Sequence, residues 1–171
     1  DTETPQGILA VLKLHQLPLP DSPTFIIIAD QVRDPGNMGT LLRTAEAAGA
    51  EGVILTPGTV DAFSPKVVRA GMGAHFRLPI LEPNWDEIPS WLQGLAIFQA
   101  ESGGGKIIWQ ADFTQPLALL IGGEAFGPSN EGRALAIQRV NIPMPGRAES
   151  LNAAIAAGIL IAEVLRQRSN Q

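Results

Sequence analysis

The strongest constraint on the fold is a set of short, uninterrupted apolar runs: Phe25-Ile26-Ile27-Ile28-Ala29, Gly52-Val53-Ile54-Leu55, Leu95-Ala96-Ile97-Phe98 and Leu117-Ala118-Leu119-Leu120-Ile121, each bounded by glycine, proline or aspartate. A strand wet on one face alternates polar with apolar residues, whereas a run apolar at every position must be covered on both faces. Such strands belong to parallel sheets, whose crossover connections lay helices on both sides. Gly7–Leu14 and Val140–Ile142 are weaker strand candidates.

The intervening segments carry helical signals. Asn37 to Ala48 follows a Pro35-Gly36 turn, and Gly49 stands where a C-terminal cap belongs. Ser64-Pro65 is a cap followed by a first-turn proline, which predicts a helix reaching about Ala70. Asn84 or Asp86 to Gln93 and Asn130 to Gln138 read as helices of two to three turns. The last helix is expected from Leu151 to about Arg168. Leu151, Ile155, Ile159, Ala162 and Leu165 share one face, with Arg166 and Arg168 at the negative end of its dipole. Strands alternating with helices predict a single three-layer α/β domain, a mostly parallel sheet covered by helices on both faces.

Composition narrows the chemistry. The 171 residues suit one domain, and 45% apolar with 17% charged residues describes a globular chain. With no cysteine there is no disulfide scaffold and no thiolate zinc site, and a reducing cytoplasm is the expected compartment. His15 and His75 stand without clustered carboxylates, so no metal site is expected. Ala153–Ala162 is too short to span a bilayer, so no membrane association is expected. The first residue is Asp1 rather than methionine, which reads as a processed or excised piece lacking an upstream domain. A net charge of −5 argues against the chain alone as a nucleic-acid binder, although its 12 Lys and Arg residues can still line one face and an upstream domain can supply affinity.

Two glycine-rich stretches fail as nucleotide motifs. Gly103-Gly104-Gly105-Lys106 lacks the first glycine of a phosphate loop, having Ala100 there, and carries Ile107 where a hydroxyl should bind magnesium. It reads as a flexible surface loop. Gly122-Gly123-Glu124-Ala125-Phe126-Gly127 resembles a dinucleotide fingerprint, but Glu124 takes the place of its second glycine and would repel a pyrophosphate. A neutral or cationic ligand suits it better, and that speaks against a nucleotide-dependent oxidoreductase.

Three blocks stand out together: Asp30-Gln31-Val32-Arg33-Asp34-Pro35-Gly36-Asn37-Met38-Gly39-Thr40-Leu41-Leu42-Arg43-Thr44-Ala45, then Ile121–Gly127, then Ile142-Pro143-Met144-Pro145-Gly146-Arg147-Ala148-Glu149-Ser150-Leu151-Asn152-Ala153-Ala154. In kind and in order they closely resemble the three signature motifs of the SpoU (TrmH-type) RNA 2′-O-ribose methyltransferases of the SPOUT superfamily. The resemblance covers almost the whole chain, and Thr4-Pro5-Gln6-Gly7-Ile8 resembles the start of the catalytic domain in members with an upstream RNA-binding domain. It implies a C-terminal deep trefoil knot, a homodimer with the active site at the interface, and S-adenosylmethionine as methyl donor. It also implies an RNA substrate, ribosomal RNA being favoured over transfer RNA. A transfer-RNA ribose methyltransferase and a catalytically silent RNA-binding assembly factor are the competing readings.

By the same resemblance, Gly122, Gly123, Glu124, Ile142, Met144, Ser150, Leu151 and Asn152 surround the cofactor, and Asn37, Arg43, Glu124, Ser150 and Asn152 form the catalytic set. Methyl transfer from a sulfonium is an in-line displacement that needs alignment and proton removal, and no metal. Arg43 is hard to deprotonate, so its expected work is to bind the target phosphate and stabilise charge on the 2′-oxygen; the plainer alternative is a surface pair with Glu46. Glu124 orients Asn37 or anchors the surrounding loops. Ser150 reads as the N-cap of the final helix, and Asn152, with less structural reason to be there, as a site residue. Arg33, Arg43 and Arg147 are expected to contact RNA, with Arg69 and Arg77 as further candidates, and His75 to pack or hydrogen-bond at a helix end.

Overall fold

The computed structural model describes residues 7–8, 10–14, 16–124 and 127–169. Its centre is a seven-stranded, all-parallel sheet. The strands are β1 (Phe25–Asp30), β2 (Gly52–Leu55), β3 (Ile80–Leu81), β4 (Ala96–Ala100), β5 (Lys106–Ile107), β6 (Leu117–Gly122) and β7 (Gln138–Asn141), in the order β3-β2-β1-β6-β4-β7-β5. Every residue of β1 and β2 is buried. Alternate residues of the uninterrupted runs feed two separate cores. Phe25, Ile27 and Ala29 pack into the larger one with Leu41, Leu160 and Val164, while Ile26 and Ile28 face Ile88, Leu92 and Ile97 on the other side.

The helices are α1 (Pro35–Ala47), α2 (Pro65–Gly71), α3 (Ile88–Trp91), α4 (Asn130–Leu135) and α5 (Ala153–Arg168). α1 starts two residues earlier than the sequence signals indicate because Asp34 is its cap, accepting from the Asn37 amide at 2.8 Å; Gly49 takes the left-handed conformation just past its end, at φ 72°. α2 extends to Gly71 and closes on Met72 in the left-handed region; Ser64 precedes it without donating or accepting a capping bond. The expected helix over 84–93 shrinks to the single turn α3, with Pro89 in it and Gly94 at positive φ beyond it. α4 ends at Leu135, since Gln138 already pairs with Phe98 as the first residue of β7. α5 begins at Ala153 rather than Leu151, and its cap is Asn152 rather than Ser150: the Asn152 Oδ1 accepts from the amides of Ala154 at 2.9 Å and Ile155 at 3.2 Å. Among the described residues of Gly7–Leu14 there is no strand, and Ile8 and Val11 are exposed. Thr4–Gln6 and His15 lie outside the described residues.

β1 and β6 are neighbours in register, Ala29 beside Ile121 and Asp30 beside Gly122, yet their outgoing connections diverge. From β1 the chain runs to β2 and β3; from β6 it crosses β4 to reach β7. A parallel sheet opens a crevice where successive connections leave in opposite directions, outside the carboxyl ends of its strands. Both later motif blocks follow strands that end at this edge, and the first follows β1 directly.

Candidate active site

A cavity of about 480 Å³ lies at the carboxyl ends of β4, β6 and β7. Ile121, Val140, Ile142, Leu151 and Leu160 provide apolar wall, and Ala153 and Ala156 of α5 leave room for it. Of the residues that the resemblance assigns to the cofactor, Gly122, Gly123, Glu124, Ile142, Met144, Ser150 and Leu151 line this cavity, while Asn152 stands beside it. Its charged lining is three carboxylates, Glu101, Glu124 and Glu149, against one guanidinium, Arg133. Such a lining favours a cationic occupant over an anion.

The glycines of the second block are sterically required. A Cβ on Gly122 would meet the backbone nitrogen of Pro128 at 2.3 Å, and one on Gly123 would meet the carbonyl oxygen of Gln31 at 2.2 Å. The loop after β6 is thus folded back on itself and pressed against the loop after β1. Gln31 is held there in the left-handed region at φ 55°, a conformation costly for a non-glycine residue, with its amide bonded to the hydroxyls of Thr56 and Thr59.

The three motif blocks meet in a chain of side-chain hydrogen bonds. Asn152, fixed by capping α5, donates from Nδ2 to Asn37 Oδ1 at 2.9 Å, and Asn37 Nδ2 donates to Glu124 Oε1 at 2.6 Å. The backbone amide of Arg33 points to the other Glu124 oxygen at 3.5 Å. An ionised carboxylate accepts only, so Glu124 fixes which way the Asn37 amide faces, and Asn37 in turn fixes Asn152. Residues 37, 124 and 152, far apart in sequence, are locked at the cavity's β1 side.

The arginines are placed differently. Arg43 is exposed on α1, does not line the cavity, and makes no hydrogen bond or ion pair with a described residue. The pair with Glu46 does not form: Glu46 binds Arg77, Nε to Oε1 at 2.5 Å, and that hydrogen bond holds the Glu46 carboxyl below its ordinary range. Arg33 donates to Gln31 Oε1 at 3.2 Å, and Arg147 is exposed on the loop before α5. His75 donates from Nε2 to the Ala62 carbonyl, 2.7 Å away, and meets Phe63 edge-on, as a packing histidine does.

Sequence reading missed Asp30 and the Glu101 cluster. Asp30 is fully buried at the end of β1 and accepts from Thr56 Oγ1 at 2.8 Å, Ser129 N at 2.7 Å and Ser129 Oγ at 2.9 Å. It ties the ends of β1 and β2 to the start of α4, beneath the cavity. Its signals were a charge directly closing an apolar run and its place at the head of the first motif block. Among the described residues no cluster of metal-ligating side chains is present and no helix is long and apolar enough to cross a membrane.

The chain is similar in sequence and fold to known proteins. The chain is 36% identical over 166 residues to the 23S rRNA (guanosine(2553)-2′-O)-methyltransferase RlmP of Bacillus subtilis, covering 94% of this chain and 65% of that protein. The SpoU methyltransferase AviRb of Streptomyces viridochromogenes, solved with AdoMet, superposes with a TM-score of 0.82 at 37% identity over 88% of this chain and 60% of its own. An AdoMet-bound rRNA methyltransferase from Sinorhizobium meliloti superposes with a TM-score of 0.80 at 40% identity, covering 86% of this chain and 58% of that one. The chain therefore spans somewhat less than two thirds of these relatives' lengths. Residues 24–162 match the SpoU rRNA Methylase family, with all three motif blocks inside the match, and the chain belongs to that family.

Proposed function

We propose that this chain is the catalytic domain of an S-adenosylmethionine-dependent methyltransferase acting on a ribose 2′-hydroxyl of ribosomal RNA. The observation that carries the reading is the Asn152–Asn37–Glu124 chain of hydrogen bonds beside an apolar cavity with an excess of carboxylates. The cavity volume falls within the range of small-ligand sites, its Ile142 and Leu151 walls suit an adenine ring, and its net negative lining suits a sulfonium. When bound, S-adenosylmethionine supplies an electrophilic methyl group.

The chain's own residues do the rest. Glu124, through Asn37 and Asn152, holds the three motif loops in one geometry and keeps the cavity's reacting side rigid. Arg43, unpaired among described side chains, binds the target phosphate and stabilises the negative charge that develops on the 2′-oxygen. Arg33 and Arg147 add phosphate contacts. Ser150 lines the cavity without capping α5, which frees its hydroxyl for substrate or cofactor.

The assembly proposed is a cytoplasmic homodimer with a C-terminal trefoil knot and an upstream RNA-binding domain. The exposed Ile155 and Leu165 of α5 and the open space above Gly158 support an intermolecular face. Ala153 and Ala157 are instead buried in this chain's own core. The family match supports the knot, and the greater length of the relatives supports the extra domain.

Titration calorimetry with S-adenosylmethionine is expected to give one binding event per chain. An Arg43→Ala protein is expected to keep that affinity while methyl transfer to ribosomal RNA falls by about two to three orders of magnitude, as for loss of a charge-stabilising donor. Unchanged turnover would remove Arg43 from the reaction. A folded protein that binds no cofactor would point to the silent assembly factor.

A further inference from the structure

Glu101 occupies a place in the cavity that none of the three motif blocks accounts for. It follows β4 immediately, its amide donates to the Val140 carbonyl at 2.9 Å, and its side chain is only 20% exposed. Two arginines flank its carboxylate, Arg133 Nη1 at 3.4 Å from Oε1 and Arg139 Nη1 at 3.4 Å from Oε2. Their side chains are 43% and 64% exposed, so the carboxylate, rather than the guanidiniums, is the buried member. Both contacts are long for charge-assisted bonds, and a carboxylate offers about four acceptor positions. Glu101 therefore keeps acceptor capacity on a cavity wall while two guanidiniums hold it in place. Ion pairs this long to guanidiniums this exposed contribute little to stability, which leaves the fold with small need of them.

The orientation of the site gives that capacity a use. Glu124 and Asn37 mark the reacting side, over β1 and β6; Glu101 stands across Gly122, over β4 and β7. A sulfonium held on the first side would leave the second, with its Ile142 and Leu151 walls, to the nucleoside. A carboxylate at the carboxyl end of a parallel strand is chemically suited to accept from the adjacent hydroxyls of a ribose. We propose that Glu101 accepts the ribose hydroxyls of the cofactor's nucleoside, with Arg133 and Arg139 as positioning residues. The inference rests on the cofactor reading above.

The test pairs a protein change with a ligand change. Calorimetry measures S-adenosylhomocysteine and its 2′,3′-dideoxyribose analogue on the native protein and on Glu101→Gln. Charged hydrogen bonds of this kind correspond to roughly 10- to 100-fold in affinity. The native protein is expected to bind the dideoxy analogue weaker by that factor. Glu101→Gln is expected to lose the same factor for S-adenosylhomocysteine and little for the analogue. Equal weakening of both ligands by the substitution, or no preference of the native protein for the ribose ligand, overturns the assignment. The native-protein comparison decides even where the variant does not fold. A native protein that binds neither S-adenosylmethionine nor S-adenosylhomocysteine instead removes the cofactor reading itself, and the ribose assignment with it.

Discussion

Asn152 carries two jobs with two different atoms. Its Oδ1 caps α5, and its Nδ2 holds Asn37. The two can be separated by substitution. Asn152→Asp keeps the capping oxygen but sets a carboxylate against Asn37 Oδ1, so thermal stability is expected to stay close to native while methyl transfer drops at least 10-fold. Asn152→Ala loses both, and an N-cap is worth about 1 kcal/mol, which in a domain of this size lowers Tm by about 2–4 °C. Calorimetric melting alongside a methyl-transfer assay distinguishes them. If the aspartate protein transfers methyl groups at the native rate, the hydrogen-bonded chain has no part in catalysis. Ser150 illustrates how sequence misleads at this scale: a serine directly before the apolar run that opens at Leu151 looks like a cap, but the helix starts at Ala153, and Asn152 wins the amides of Ala154 and Ile155.

At the scale of elements, α5 does more than close the domain. Its last turns grip the segment between β5 and β6: Gln167 Oε1 accepts from the Phe113 amide at 2.8 Å, and Arg168 donates to the carbonyls of Phe113, Gln115 and Thr24. The sequence reading of Arg168 as a dipole partner describes only part of this. Glu163 anchors the same turn, accepting from Arg166 Nε at 2.8 Å and from Gln167 Nε2 at 2.7 Å, and the Arg166 hydrogen bond lowers its pKa below the ordinary 4.5. A carboxyl whose folded pKa is depressed contributes stability above its unfolded value and loses that contribution as pH falls through the folded one. Native stability is therefore expected to decline from about pH 4.5 downward, and Glu163→Gln to be less stable at pH 7, by on the order of 1 kcal/mol, with a shallower acid limb. Denaturant unfolding between pH 3 and 7 reads both, and parallel acid limbs would contradict the assignment.

The same elements show what the sequence could carry. Strands buried on both faces announced themselves through apolar runs: β1, β2 and β6 follow such runs closely, and β4 overlaps one at Ala96–Phe98 before continuing through the buried Gln99. The two-residue β3 and β5 lie at the sheet's margins, too short for any periodicity to mark. The helix expected over 84–93 had the right polar pattern, yet Pro89 and Gly94 leave it one turn. Of the site, the motif blocks were visible; the hydrogen bonds joining them and the carboxylate of Glu101 were not. Contacts such as Asn37 to Glu124 depend on two loops pressed together at Gln31 and Gly123, and no local pattern encodes that pressure.

For the molecule as a whole, the parallel sheet sets where chemistry takes place. All strand ends with apolar backing point to one edge, connections diverge there between β1 and β6, and the motif blocks gather around the opening. A net charge of −5 is compatible with an RNA substrate if the exposed Arg33, Arg43 and Arg147 form the contacting face, aided by the proposed upstream domain. The central claim, that this edge delivers a methyl group to a ribose 2′-oxygen of ribosomal RNA, is tested most directly by mapping ribose methylation in RNA from cells with and without the gene. The account predicts that a discrete 2′-O-methyl site in ribosomal RNA disappears without the gene and returns with the native protein but not with Arg43→Ala. Ribosomal RNA with an unaltered set of 2′-O-methyl sites in the deletion would contradict it.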